Sequence, residues 1–75
     1  MCGYIVYNQS GSLMTAVVSG KGGAKIYIFK VNEFKSDYSL VETLTIAKKP
    51  VCVMWNSFDS KLYCFFNAGY YEWTL

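Results

Sequence analysis

The side chains that carry most enzyme chemistry are thinly supplied in this 75-residue chain. It has no His, which removes imidazole as base, acid or metal ligand. Its acids, Glu33, Asp37, Glu42, Asp59 and Glu72, are scattered and offer no obvious carboxylate pair for acid–base work. The three Cys, Cys2, Cys52 and Cys64, include no C-x-x-C pair for zinc or dithiol redox chemistry. Their odd number argues against a closed disulfide framework. All three are therefore expected as reduced thiols in a cytosolic protein, with Cys52 and Cys64 as small core residues of apolar runs. Gly20-Lys21-Gly22-Gly23 has the ingredients of a phosphate loop but lacks the G-x-x-x-x-G-K-S/T spacing and the helix that follows it, so it reads as a hairpin loop. Asn8-Gln9-Ser10 is formally a glycosylation sequon and is read as turn chemistry. No catalytic residue, metal or cofactor is expected.

Charge and composition narrow the partners. The net charge of +2 is carried by Lys without Arg, and Lys48-Lys49 is the only basic pair. A nucleic-acid footprint calls for a denser basic stripe rich in Arg, so nucleic acid is not expected. The chain is 53% apolar and rich in Tyr and Phe, which opposes disorder and favours strands. No apolar run approaches the roughly 20 residues of a membrane-spanning helix. The opening Met1-Cys2-Gly3-Tyr4 shows no basic segment leading into an apolar one, so no signal peptide or membrane association is expected.

Short β-branched and aromatic runs between Gly, Ser, Asn and Asp set the elements. Tyr4 to Tyr7 is a strand, followed by a turn over residues 8–12 with Gly11 free to take positive φ. Leu13 to Val18 is the second strand, and residues 19–24 a loose hairpin loop. Lys25 to Val31 alternates, with Ile26, Ile28 and Lys30 on one face and Tyr27, Phe29 and Val31 on the other. Residues 32–39, with Glu33, Lys35 and Asp37, read as a mobile surface loop. Leu40 to Ala47 is a fourth strand, with Leu40, Glu42, Leu44 and Ile46 opposite Val41, Thr43 and Thr45. Lys48-Lys49-Pro50 ends it, because Pro cannot continue a central ladder. Val51 to Trp55, Lys61 to Phe66 and Tyr70 to Leu75 are the last strands, separated by turns at residues 56–60 and at Asn67-Ala68-Gly69. Their aromatics could stack on bases, but alternation makes core packing the better account, so Trp55 and Trp73 are structural candidates.

The two halves repeat. Ile5-Val6-Tyr7-Asn8 lies against Val53-Met54-Trp55-Asn56, Gly11-Ser12-Leu13 against Ser60-Lys61-Leu62, and the strand through Phe29 against the strand through Trp73. Tyr7 and Trp55 are 48 positions apart, somewhat more than the roughly 40–45 residues of a propeller repeat. The loop at 32–39 accounts for the excess. The run Val51 to Leu62, followed by Asn67 to Leu75, resembles one WD repeat: aliphatics before an aromatic, a polar turn through Asp59, Leu62, a tight turn, and then Trp73 at the signature position. The Gly-His pair that usually opens such a repeat is replaced by Lys48-Lys49-Pro50. Trp55-Asn56, Asp59-Ser60-Lys61-Leu62 and Tyr71-Glu72-Trp73-Thr74-Leu75, together with Ser10 to Val17, are similar to repeats of the WD-repeat cilia- and flagella-associated proteins. Cys64 to Gly69 departs from that family's Gly-rich pattern.

The resemblance implies an all-β chain of about two propeller blades, residues 1–47 forming the first and 48–75 an incomplete second, with Tyr7, Phe29, Trp55, Asp59 and Trp73 as the repeat signature. Blades bury their faces on neighbouring blades, so a fragment or subunit of a larger ring is expected. The function implied is a non-catalytic scaffold in the cytoplasm and the ciliary axoneme, where such proteins help place inner dynein arms and regulatory complexes. Its partners would be a large axonemal assembly and the remaining blades or a neighbouring subunit. Lys21, Glu33, Lys35 and Asp37 are candidate interaction-loop residues. A WD-repeat adaptor of another intracellular complex, or a stand-alone small β-barrel binding a ligand or nucleic acid, are the alternatives.

Overall fold

The computed structural model describes residues 5–32, 34–56 and 61–74. Among the described residues seven strands form in chain order: β1 (Ile5–Tyr7), β2 (Leu13–Gly20), β3 (Gly23–Asn32), β4 (Asp37–Ile46), β5 (Cys52–Trp55), β6 (Lys61–Phe66) and β7 (Gly69–Thr74). They make a four-stranded antiparallel sheet in the order β1-β2-β3-β4 and a three-stranded one in the order β5-β6-β7. The chain is therefore all-β, built from consecutive up-and-down hairpins.

Turn chemistry fixes the registers. Gly20 pairs with Gly23, so the hairpin loop expected over 19–24 closes to two residues, Lys21 and Gly22. Gly22 has a φ of 85°, which a β-carbon disfavours. Gly23 is obligatory for a second reason: a Cβ there would be driven into the main-chain carbonyl of Ile46 on β4. Residues 8–13 are clasped by Asn8, whose main-chain N–H donates to the Leu13 carbonyl at 3.0 Å while its side-chain Oδ1 accepts from Leu13 N–H at 3.0 Å. The Asn8 amide also donates to Ser12 Oγ at 3.0 Å, so this buried polar residue is satisfied. Asn56 N–H makes the corresponding bond to the Lys61 carbonyl at 3.0 Å.

The segment expected as a loop over 32–39 is shorter. β4 already starts at Asp37, which pairs with Asn32, and Tyr38 pairs with Val31. Asn32 Oδ1 accepts from the N–H groups of Phe34 and Lys35 at 3.1 and 3.3 Å, a local side-chain cap of the turn. The single face expected for Leu40, Glu42, Leu44 and Ile46 is also broken. Ile28 pairs with Glu42 but Phe29 with Leu40, so Val41 is an extra residue on β4. A bulge of this kind reverses the alternation. Leu44 and Ile46 pack on the core, whereas Leu40 is 56% exposed.

The core lies between the sheets. Val17, Ala24, Ile26 and Ile28 of the first meet Val53, Leu62 and Cys64 of the second, with Leu44, Ile46, Trp55, Phe66 and Trp73 packed around them. Strands β1 and β5 lie side by side. Each fully buried aliphatic contributes about 1.5–3 kcal/mol relative to exposure. Thr15 shares the inner side of β2 with Val17, fully buried, and its hydroxyl has no hydrogen-bond partner. An unpaired buried hydroxyl costs about 1–3 kcal/mol. Thr15→Val should therefore raise stability by about 1 kcal/mol, read as a higher urea midpoint at unchanged slope.

The two sheets stack in the same sense. In the first, Tyr7, Met14 and Phe29 form one row across β1, β2 and β3. In the second, Trp55, Leu62 and Trp73 form the matching row across β5, β6 and β7. The register thus matches Leu62 with Met14, not with Leu13 as the sequence alignment has it. The Trp55 row faces the first sheet, while the Tyr7 row lies outside the core on the side away from the second.

Candidate functional site

The side chains singled out from the sequence separate into three places. Trp55 and Trp73 meet at the sheet–sheet interface with ring centroids 6.2 Å apart and planes at 81°, an edge-to-face pair. The Trp55 indole N–H is buried without an acceptor. Tyr7 and Phe29 occupy the outer face of the first sheet. Phe29 meets Tyr27 and, edge-on, Tyr38, whose hydroxyl lies 3.3 Å from that of Tyr7. That contact raises the Tyr7 phenol above its ordinary pKa, through the hydrogen bond first. Asp59 lies outside the described residues.

The interaction-loop candidates do not converge. Lys21 tips the β2–β3 turn, whereas Lys35 lies in the turn at the other end of β3. Asp37 is a strand residue rather than a loop one. Glu33 lies outside the described residues. Sequence reasoning missed a second aromatic cluster, on the outer face of the second sheet: Tyr63, Phe65 and Tyr70, with centroids 5.9–6.0 Å apart. Strand alternation alone could have found it, because Tyr63 and Phe65 are two apart on β6 and so share a face. Beside it, Lys61 Nζ bonds Glu72 Oε1 at 2.8 Å, which raises the Lys61 pKa. Among the described residues, no group of three His, Cys, Asp or Glu side chains comes together.

The cysteines differ from the expectation of three reduced thiols. Cys52 is disulfide-bonded, so it is not a thiol. Cys64 is free and fully buried, and burial pushes its pKa up to about 11. Between pH 9 and 11 the folded thiol keeps a proton that the unfolded one has lost. Its stabilising contribution is thus whole below about pH 9 and fades as pH rises towards 11. Only thiolate attacks an alkylating agent. Iodoacetamide at pH 8 should therefore label Cys64 about 100-fold more slowly in the folded chain than in urea, and mass spectrometry of timed samples would show it.

The fold and these clusters define an all-β chain of two stacked antiparallel sheets with aromatic outer faces. No protein-family model, curated protein or solved structure matches the chain.

Proposed function

We propose that the chain is a segment of a WD-type β-propeller and works as a non-catalytic scaffold that binds other proteins. The observation that carries this is the sense of stacking: corresponding rows, Tyr7-Met14-Phe29 and Trp55-Leu62-Trp73, face the same way in successive sheets. Two sheets related by a two-fold axis would close on each other and leave no complementary faces. Sheets stacked in one sense extend until they close into a ring. By analogy with the Trp55 row, which packs on the first sheet, the Tyr7 row would receive the inner face of another sheet. The outer faces have the composition for it, with Ile5 65%, Tyr7 48% and Tyr70 63% exposed. Apolar area of this kind in water marks an interaction surface. The further sheets would be remaining blades or a neighbouring subunit.

Likeness to the WD-repeat cilia- and flagella-associated proteins supports a setting in the ciliary axoneme, within the scaffolding of inner dynein arms or regulatory complexes. A tagged copy in ciliated cells tests that setting. Retention on detergent-stripped axonemes is the expected result. Absence from cilia would remove the axonemal setting and leave a WD-repeat adaptor of another complex.

A second reading has an observation in its favour. Both sheets share one core cluster, as a stand-alone two-sheet binding module would require. Such a module needs no neighbour, so the two readings part on the mass of the particle in solution.

A further inference from the structure

The strand order gathers positive charge at one end of the fold. The β2–β3 turn carries Lys21, and Lys25 follows on β3 opposite Val18 and Thr45. β4 ends at that same end, since Ile46 pairs with Ala24. The connection that follows holds Lys48 and Lys49 and returns against β6, where Val51 N–H donates to the Phe65 carbonyl at 2.7 Å. Four of the chain's seven basic residues therefore share one end. Among the described residues, no acid joins them. Asp37 starts β4 at the opposite end, Glu42 lies beyond Thr45 along β4, and Glu72 is held by Lys61.

Two open cavities lie at this end, each lined by one pair of these lysines. Lys21, Lys25, Val18, Ala24 and Ile46 line the first, of about 280 Å³. Lys48, Lys49, Val51, Phe66 and Tyr70 line the second, of about 320 Å³. Both stand at the floor of the size range of small-molecule sites, about 300–1,000 Å³, and their exposed lysines leave them open to water. They suit single side chains of a bound polymer better than an engulfed ligand. Apolar walls beside ammonium groups call for apolar residues interspersed with anions.

We propose that this end binds an extended, carboxylate-rich polypeptide segment, Lys21, Lys25 and Lys48 receiving its acids and the two cavities its apolar side chains. This rests on the reading of the chain as a protein-binding scaffold and names the kind of partner. Charge decides between peptide and nucleic acid. Nucleic-acid affinity is built from many neutralised phosphates, and this end offers few lysines and no Arg, whereas three carboxylates are met one to one by Lys21, Lys25 and Lys48.

The full chain is titrated with a fluorescent peptide of alternating Glu and Leu, with its Gln-for-Glu analogue, and with oligouridylate. Only the Glu peptide should bind, more weakly as salt is raised. Joint Lys21→Glu, Lys25→Glu and Lys48→Glu should weaken it about tenfold or more, and Lys35→Glu at the opposite end less than about twofold. Joint replacement of the same three lysines by Gln provides a milder variant, and circular dichroism verifies folding of each. Equal binding of the Gln peptide, tighter binding of oligouridylate, or indifference to the three lysines would overturn the proposal. Light scattering of the same samples separates the failures: a chain that associates through its sheets but ignores the peptide loses only the lysine-rich end, while a lone monomer that ignores it loses the scaffold reading too.

Discussion

Leu62→Ala is expected to remove about 2–5 kcal/mol of folding stability. Leu62 is fully buried near the start of β6, the middle strand of its sheet, flanked in register by Trp55 and Trp73, and it shares one core cluster with Ile26 and Ile28 of the other sheet. Truncation gives up the transfer energy of the lost methyl groups and leaves a cavity that two hydrogen-bonded sheets cannot easily close. A chain of this length has only about 4–11 kcal/mol in hand. The loss should therefore bring the urea midpoint down by roughly a fifth at the least, with the slope unchanged. A midpoint within experimental error of the parent would mean that the two sheets do not pack on each other through this row.

Trp73→Ala should cost about 3 kcal/mol, at the low end of the range for large aromatics because Trp73 is only half-buried. Part of that loss belongs to the pair with Trp55. Edge-to-face rings contribute about 0.5–1.5 kcal/mol beyond the area they bury. A double-mutant cycle with Trp55→Leu and Trp73→Leu isolates that share. Additive losses would deny the contact. Trp55 remains as the fluorescent reporter in the Trp73 single variants.

The strands and their order were legible in the sequence because alternation and turn residues act locally. Ile26 and Ile28 were placed on one face and are fully buried there, and Asn67-Ala68-Gly69 was read as a tight turn, as Phe66 pairing with Gly69 requires. What escaped depended on partners distant in sequence. The bulge at Val41 arises from how β3 and β4 mate, and no pattern within β4 announces that Leu40 must turn outward while Leu44 turns in. Asp37 looks like loop chemistry by type and becomes a strand residue because Asn32 lies opposite. The disulfide at Cys52 was missed because counting cysteines says nothing of distances. The lysine-rich end was invisible for the same reason: Lys21 and Lys48 come to one end of the fold only once β4 returns beside β3. Expected exposure alone points to the candidate loops, and exposure says nothing of convergence.

In the proposed propeller segment, sheets stacked in one sense offer the Tyr7-Met14-Phe29 face to another sheet. Sedimentation velocity of the full chain over a range of concentrations, beside a Phe29→Lys variant, tests it most directly. Reversible association that rises with concentration is expected in the parent and its loss in the variant, whose circular dichroism stays β-rich. A parent that sediments as a cooperatively folded monomer at every concentration would contradict it, and the stand-alone two-sheet module would take its place.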